Sequence, residues 1–80
     1  MRLDKYLKVA RIIKRRTVAN EACDAGRVIV NGKAARASYD VKVGDVIEIA
    51  FGARTVKAEV ISVAEAVKKD DAATLYKIIN

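Results

Sequence analysis

Ala25-Gly26-Arg27-Val28-Ile29-Val30-Asn31-Gly32-Lys33 is where the chain changes period, from helical before it to extended after it. Gly26 stands where a left-handed residue stops a helix. Val28, Ile29 and Val30 are β-branched and suit a pleated, half-buried surface. Asn31-Gly32 is the strongest short-range hairpin signal, because a type I′ turn needs positive φ at both central residues. Lys33 to Arg36 can return as the partner strand.

Upstream, Ala19, Ala22 and Cys23 share one helical face, while Asn20, Glu21 and Asp24 share the other. Thr17 suits an N-cap, since its hydroxyl can accept a free amide of the next turn. That predicts a helix over about residues 18–25, with a small buried face that permits a close neighbour. Further back, Leu3, Leu7 and Ala10 form a stripe with Tyr6 at its edge, and Asp4, Lys5, Lys8 and Arg11 lie on the opposite arc. This predicts an amphipathic helix of about two turns. Extension past Arg11 would put Ile12 among the lysines, so residues 12–16 read as a basic connector.

Downstream, Ser38-Tyr39-Asp40 reads as a loop and Val43-Gly44-Asp45 as a turn. Val46 to Phe51 alternates as a strand, Gly52-Ala53 is a second tight turn, and Arg54 to Val63 alternates again. Asp70 or Asp71 can cap a short helix through Leu75, and Tyr76 to Ile79 can add a last short strand. The order predicts an α+β fold: two N-terminal helices plus a β-hairpin on a small antiparallel sheet, with a short C-terminal helix and strand. No repeat or linker interrupts it, so residues 1–80 are expected to form one domain.

The 80 residues are 52% hydrophobic and 32% charged, which fits a folded chain with a thin core. Cys23 is the single cysteine, so no internal disulfide forms, and on an apolar helical face it packs as a small hydrophobe. No apolar run approaches the roughly 18 residues of a membrane span, and the charged N-terminus lacks a signal-peptide core. A soluble, cytoplasmic protein is expected.

Catalytic groups are scarce. The chain has no histidine, one cysteine and four glycines, and the glycines make no phosphate-loop pattern. One cysteine without histidine cannot hold zinc. The acid pair Asp70-Asp71 is explained by a helix N-terminus. The expectation is a protein that is no enzyme and carries no cofactor or metal.

The charge pattern is more specific. The formal net charge is +6, and residues 1–20 hold all of it: seven bases (Arg2, Lys5, Lys8, Arg11, Lys14, Arg15, Arg16) against one acid, Asp4. Residues 21–80 balance nine bases with nine acids. Clustered like charges add no stability, so the patch points to a polyanionic partner. Arg15 and Arg16 stand beside the positive end of the second helix, where two guanidinium groups and unpaired amides suit a phosphate. Asp4 has two readings. It is a first-turn acid answering its own helix dipole, or it orients the site through Arg2, Lys8 or Arg16, or through a ribose hydroxyl or base amine. With only four aromatic residues, stacking on single strands is disfavoured and shape recognition of folded RNA fits better. Two other classes stay open. The neutral sheet, with Phe51 and the Tyr76–Ile79 tail, can dock an acidic protein. The first helix, lacking Trp and Phe, is a poor membrane-surface helix.

Arg2-Leu3-Asp4-Lys5-Tyr6-Leu7, Arg15-Arg16-Thr17, Ala19, Ala25-Gly26-Arg27, the Val28–Lys33 hairpin and Val43-Gly44-Asp45-Val46-Ile47, in that order, resemble the RNA-binding domain named after small-subunit ribosomal protein S4. The resemblance covers about residues 1–50. It implies two helices and a hairpin, the αL motif of that family, presenting a positive face to structured RNA. Pseudouridine synthases and tyrosyl-tRNA synthetases carry the domain beside a catalytic one, for which 80 residues leave no room. Residues 51–80 resemble the heat-shock protein fifteen branch. Without that branch's long basic tail, the chain looks most like the short RqcP group of bacterial ribosome-associated quality control. That resemblance implies binding to large ribosomal subunits obstructed by peptidyl-tRNA, with contacts to rRNA and tRNA. It also implies support for C-terminal alanine tailing beside an RqcH-type tailing factor, and a monomer off the ribosome. A subunit-recycling role like that of heat-shock protein fifteen is the alternative. The expected RNA-binding set is Arg2, Asp4, Lys5, Lys8, Arg11, Lys14, Arg15, Arg16, Thr17 and Lys33, with Arg2 and Asp4 orienting and the bases from Lys5 to Arg16 holding phosphates.

Overall fold

Leu3, Tyr6 and Leu7 repeat at helical spacing and are wholly buried, and the helix that carries them, α1, spans Leu3–Val9. They belong to a computed structural model that describes residues 1–63 and 75–79 of the chain. Helix α2 spans Arg16–Asp24 and buries Ala19 and Cys23. Small residues on that face let α2 lie close against α1. Both helices end on a left-handed residue, Arg11 (φ 60°) after α1 and Gly26 (φ 77°) after α2.

Helix α2 begins earlier than Thr17 predicts. Arg15 holds the N-cap position with no side-chain capping bond, Arg16 is the first helical residue, and Thr17 is exposed in the first turn. Two features favour this start. Ile13 of the connector is 7% exposed and Ile13 N donates to Leu7 O at 3.1 Å, so the chain is already anchored in the core. Starting at Arg16 also sets Arg16 and Asn20 one turn apart on the face that meets Asp4.

Five strands follow: β1 (Val28–Val30), β2 (Lys33–Ala34), β3 (Val46–Phe51), β4 (Arg54–Val60) and β5 (Tyr76–Ile78). They form one antiparallel sheet in the order β2-β1-β3-β4-β5. Val30 pairs with Lys33 across Asn31 (φ 52°) and Gly32 (φ 84°), the two positive angles of the expected turn. Strand β2 is shorter than the Lys33–Arg36 expectation because the chain turns in towards the helices. Ala35 and Ala37 are buried, Asp4 N donates to Ala37 O at 3.2 Å, and Leu3 N donates to Tyr39 O at 2.8 Å.

Ile47 and Ile49 fill the inner face of β3, each 1% exposed, while Phe51 of the same parity lies past the core and is 42% exposed. Glu48 faces Lys57 across the β3–β4 ladder and pairs with it at 3.6 Å. Strand β4 stops at Val60 rather than Val63. The amides of Ile61 and Ser62 both donate to Leu75 O, at 2.8 and 3.2 Å, and two consecutive amides on one carbonyl end regular pairing. The tail forms β5 as expected. The predicted helix from Asp70 or Asp71 lies outside the described residues.

Two polar ties lock this arrangement. The Tyr6 hydroxyl donates to Leu75 O at 2.6 Å, joining α1 to the approach of β5, and burial followed by the nearby Tyr76 pushes the phenol pKa well up. Asp45 is 8% exposed and accepts from Asn31 Nδ2 (3.0 Å), Tyr39 OH (2.9 Å) and Lys42 N (3.0 Å). Asn31 in turn accepts from Val46 N at 2.9 Å, so one turn residue both shapes the hairpin and holds it to β3.

Candidate nucleic-acid interface

Asp4 departs most from its sequence reading, which put it on the exposed arc of α1. It is 2% exposed and sits where α1 meets α2. A buried carboxylate must be matched by donors, and this one is. Its Oδ1 accepts from Arg2 Nε at 3.2 Å and Lys5 N at 2.8 Å. Its Oδ2 accepts from Asn20 Nδ2 at 3.2 Å and faces Arg16 Nε at 3.4 Å. Burial alone would raise its pKa. The bonds from Asn20, Arg2 and the Lys5 amide, with the Arg16 charge, outweigh it and hold the carboxyl below its ordinary value.

Asp4 thus binds an amide of its own first turn and also pairs with Arg2 and Arg16. Arg2 precedes α1 and Arg16 begins α2, yet both converge on one carboxylate. Their side chains stay 51% and 47% exposed, so each guanidinium has donors left for an outside acceptor. Asn20 was assigned to the outer face of its helix. Its spacing four residues after Arg16 is the signal that could have placed it here.

The other expected bases divide between two places. Lys8, Arg11, Lys14 and Arg15 are exposed on α1 and the connector, and Lys5 is half-buried on α1. Thr17 is exposed in the first turn of α2, a turn without a side-chain cap. Lys33 is not part of the Arg2–Asp4–Arg16 cluster. It lies on the hairpin, where it lines a groove of about 570 Å³ with Arg36, Ser38 and Tyr39. Arg36 was not among the expected site residues, although a second base three residues after Lys33 marked it. Tyr39 of this groove and nearby Ala37 accept hydrogen bonds from the amides of Leu3 and Asp4, so hairpin and helix cluster share a border.

Cys23 lies behind this surface, 2% exposed, and burial first, then the charges of Asp4 and Asp24, push its thiol up to about 11. A thiol so poised is a packing group rather than a nucleophile. Among the described residues, no group of three His, Cys, Asp or Glu side chains could hold a metal ion. No helix among them is long and apolar enough to cross a membrane.

The S4 domain family model matches residues 1–47. A curated Streptococcus pneumoniae protein named "RQC P-site tRNA stabilizing factor" is 55% identical over 80 residues, covering 100% of this chain and 91% of its own. The Bacillus subtilis protein of the same name is 49% identical over 79 residues, covering 99% of this chain and 92% of its own. Among solved structures, a trimeric structure of Vibrio cholerae heat shock protein 15 superposes with a TM-score of 0.90 at 29% identity, covering 99% of this chain and 81% of that one. The solution structure of the hypothetical protein HP1423 matches with a TM-score of 0.83, also at 29% identity, covering 100% and 98%.

Proposed function

The chain belongs to the S4 domain family, and on that premise we propose that it is a non-enzymatic factor binding rRNA and tRNA on obstructed large ribosomal subunits. The name that its relatives carry, a factor that stabilizes P-site tRNA, supports this. The observation that carries it is the Arg2–Asp4–Arg16 cluster: a buried carboxylate fixes two half-exposed guanidinium groups beside an uncapped helix N-terminus. Fixed guanidinium forks suit phosphate, and their orientation is set before RNA arrives. Lys5, Lys8, Arg11, Lys14 and Arg15 extend the phosphate-binding face over α1 and the connector. Thr17 borders it, and Lys33 continues it onto the hairpin.

In this reading residues 1–80 act as one RNA-binding domain with its motif in about residues 1–50, working in the cytoplasm as a monomer off the ribosome. It holds tRNA while an RqcH-type tailing factor on the same particle adds C-terminal alanine. The likeness to heat shock protein 15 favours a second reading, recycling of obstructed subunits. Crosslinking the tagged protein to RNA in cells tests the proposal. Large-subunit rRNA together with tRNA is the expected yield. Small-subunit rRNA or mRNA would overturn it. Loss of alanine tails in a deletion strain separates tailing from recycling.

A further inference from the structure

The two helices end in the same hydrogen-bonded motif, closed by different residues. After α1, Ile12 N donates to Leu7 O and Arg11 N to Lys8 O, both at 3.0 Å. After α2, Arg27 N donates to Ala22 O and Gly26 N to Cys23 O, again both at 3.0 Å. Each is a Schellman closure, which requires a left-handed residue just past the helix. Gly26 (φ 77°) meets that requirement without a Cβ clash, whereas Arg11 (φ 60°) meets it with one. The chain thus contains its own control: the same backbone bond pattern, once with glycine and once with arginine.

Among the described residues, no side-chain hydrogen bond or ion pair of Arg11 offsets the strain. Its side chain is exposed, and no acid among the described residues pairs with it. A cation at a helix C-terminus answers the dipole, but Lys8 already occupies the last turn of α1. Lys8, Lys14 and Arg15 flank Arg11 with no acid between them, so its charge adds repulsion as well. Strain that folding does not need points to function.

We propose that Arg11 is kept at this left-handed position for a guanidinium contact with a backbone phosphate of the bound RNA, at the expense of fold stability. The inference rests on the RNA-binding reading above and adds a conflict between stability and binding at one residue. The rigid closure fixes the Arg11 backbone, so its side chain projects from a settled point next to α1.

Arg11→Gly and Arg11→Lys in the full chain test this, by thermal melting and by affinity for purified large ribosomal subunits across a salt series. Arg11→Gly should melt at or above the parent, by up to about 5 °C. It should bind about 5- to 20-fold more weakly, with the salt slope smaller by about one. Arg11→Lys keeps the strained backbone and the charge but not the planar fork, and should recover part of the affinity without the gain in Tm. An Arg11→Gly protein that binds like the parent overturns the proposal. So does one that melts lower, because Arg11 would then be structural. Failure of the parent itself to bind subunits overturns the RNA-binding reading, and this inference with it.

Discussion

Asp4 Oδ2 and Arg16 Nε lie 3.4 Å apart across the two helices, the carboxylate buried and the guanidinium half in water. The asymmetry decides what each residue is for. Asp4 has no solvent to fall back on and depends on its donors. Arg16 can lose this contact and remain hydrated, so its larger use lies on its open side.

Arg16→Ala should therefore separate folding from binding. Arg2, Asn20 and the Lys5 amide still satisfy Asp4, so stability should fall by no more than about 1 kcal/mol. Loss of a charge-assisted phosphate contact should cost about 1.5–3 kcal/mol, or about 10- to 150-fold in affinity. Melting curves and subunit co-sedimentation on the same preparation check both halves. A large drop in Tm would make the cluster a structural clamp only.

Asp4→Arg should act on the fold first. It sets a third cation in a buried site between Arg2 and Arg16, which should cost about 3 kcal/mol or more. Asp4→Asn keeps the shape but replaces one accepting oxygen by an N–H donor that faces donors, and should cost about 2–3 kcal/mol. Thermal denaturation orders the two. Tighter binding by a folded Asp4→Arg protein would mean that bulk charge, not orientation, governs affinity.

Acid should expose the same dependence. Asp4 and Asp45 are both held below the ordinary carboxylate value of 3.8 in the folded chain. A depressed folded pKa contributes stability that is complete above the unfolded value and is lost as pH falls through the folded one. Tm should thus be flat with respect to these groups above about pH 5 and fall below about pH 4. Asp4→Asn and Asp45→Asn should each flatten that acid limb, read from melts between about pH 2 and 7.

Salt should weaken RNA binding steeply. If four to six of the bases neutralise phosphates, log K should fall against log salt with a slope of about −3 to −5. A slope shallower than about −1 would show that the basic face is not the binding surface.

Tyr6→Phe should loosen the far side of the molecule. It removes the 2.6 Å bond to Leu75 O and leaves that carbonyl to the Ile61 and Ser62 amides alone. The cost should be about 0.5–1.5 kcal/mol, or several degrees in Tm, with RNA affinity almost unchanged. Hydrogen exchange at Ile61 and Ser62, whose amides bind the same carbonyl, should rise with it.

Local chemistry determined much of this protein from its sequence. Asn31-Gly32 permits few backbones and so specified the hairpin, Gly26 stopped α2 where a left-handed residue must, and alternation marked Val46 to Phe51 as a strand. The gathering of charge into residues 1–20 needed no structure at all. What the sequence left open were choices made between distant segments. Thr17 is a good cap by local rules, yet α2 starts at Arg16 because Ile13 is drawn into the core and Arg16 and Asn20 find Asp4. Asp4 looked like an exposed arc residue because helical period assigns faces, not what packs on them. Only the approach of α2 and of Ala37–Tyr39 turned its position into an interior. Burial depends on neighbours far along the chain, and so do the pairings that burial makes obligatory.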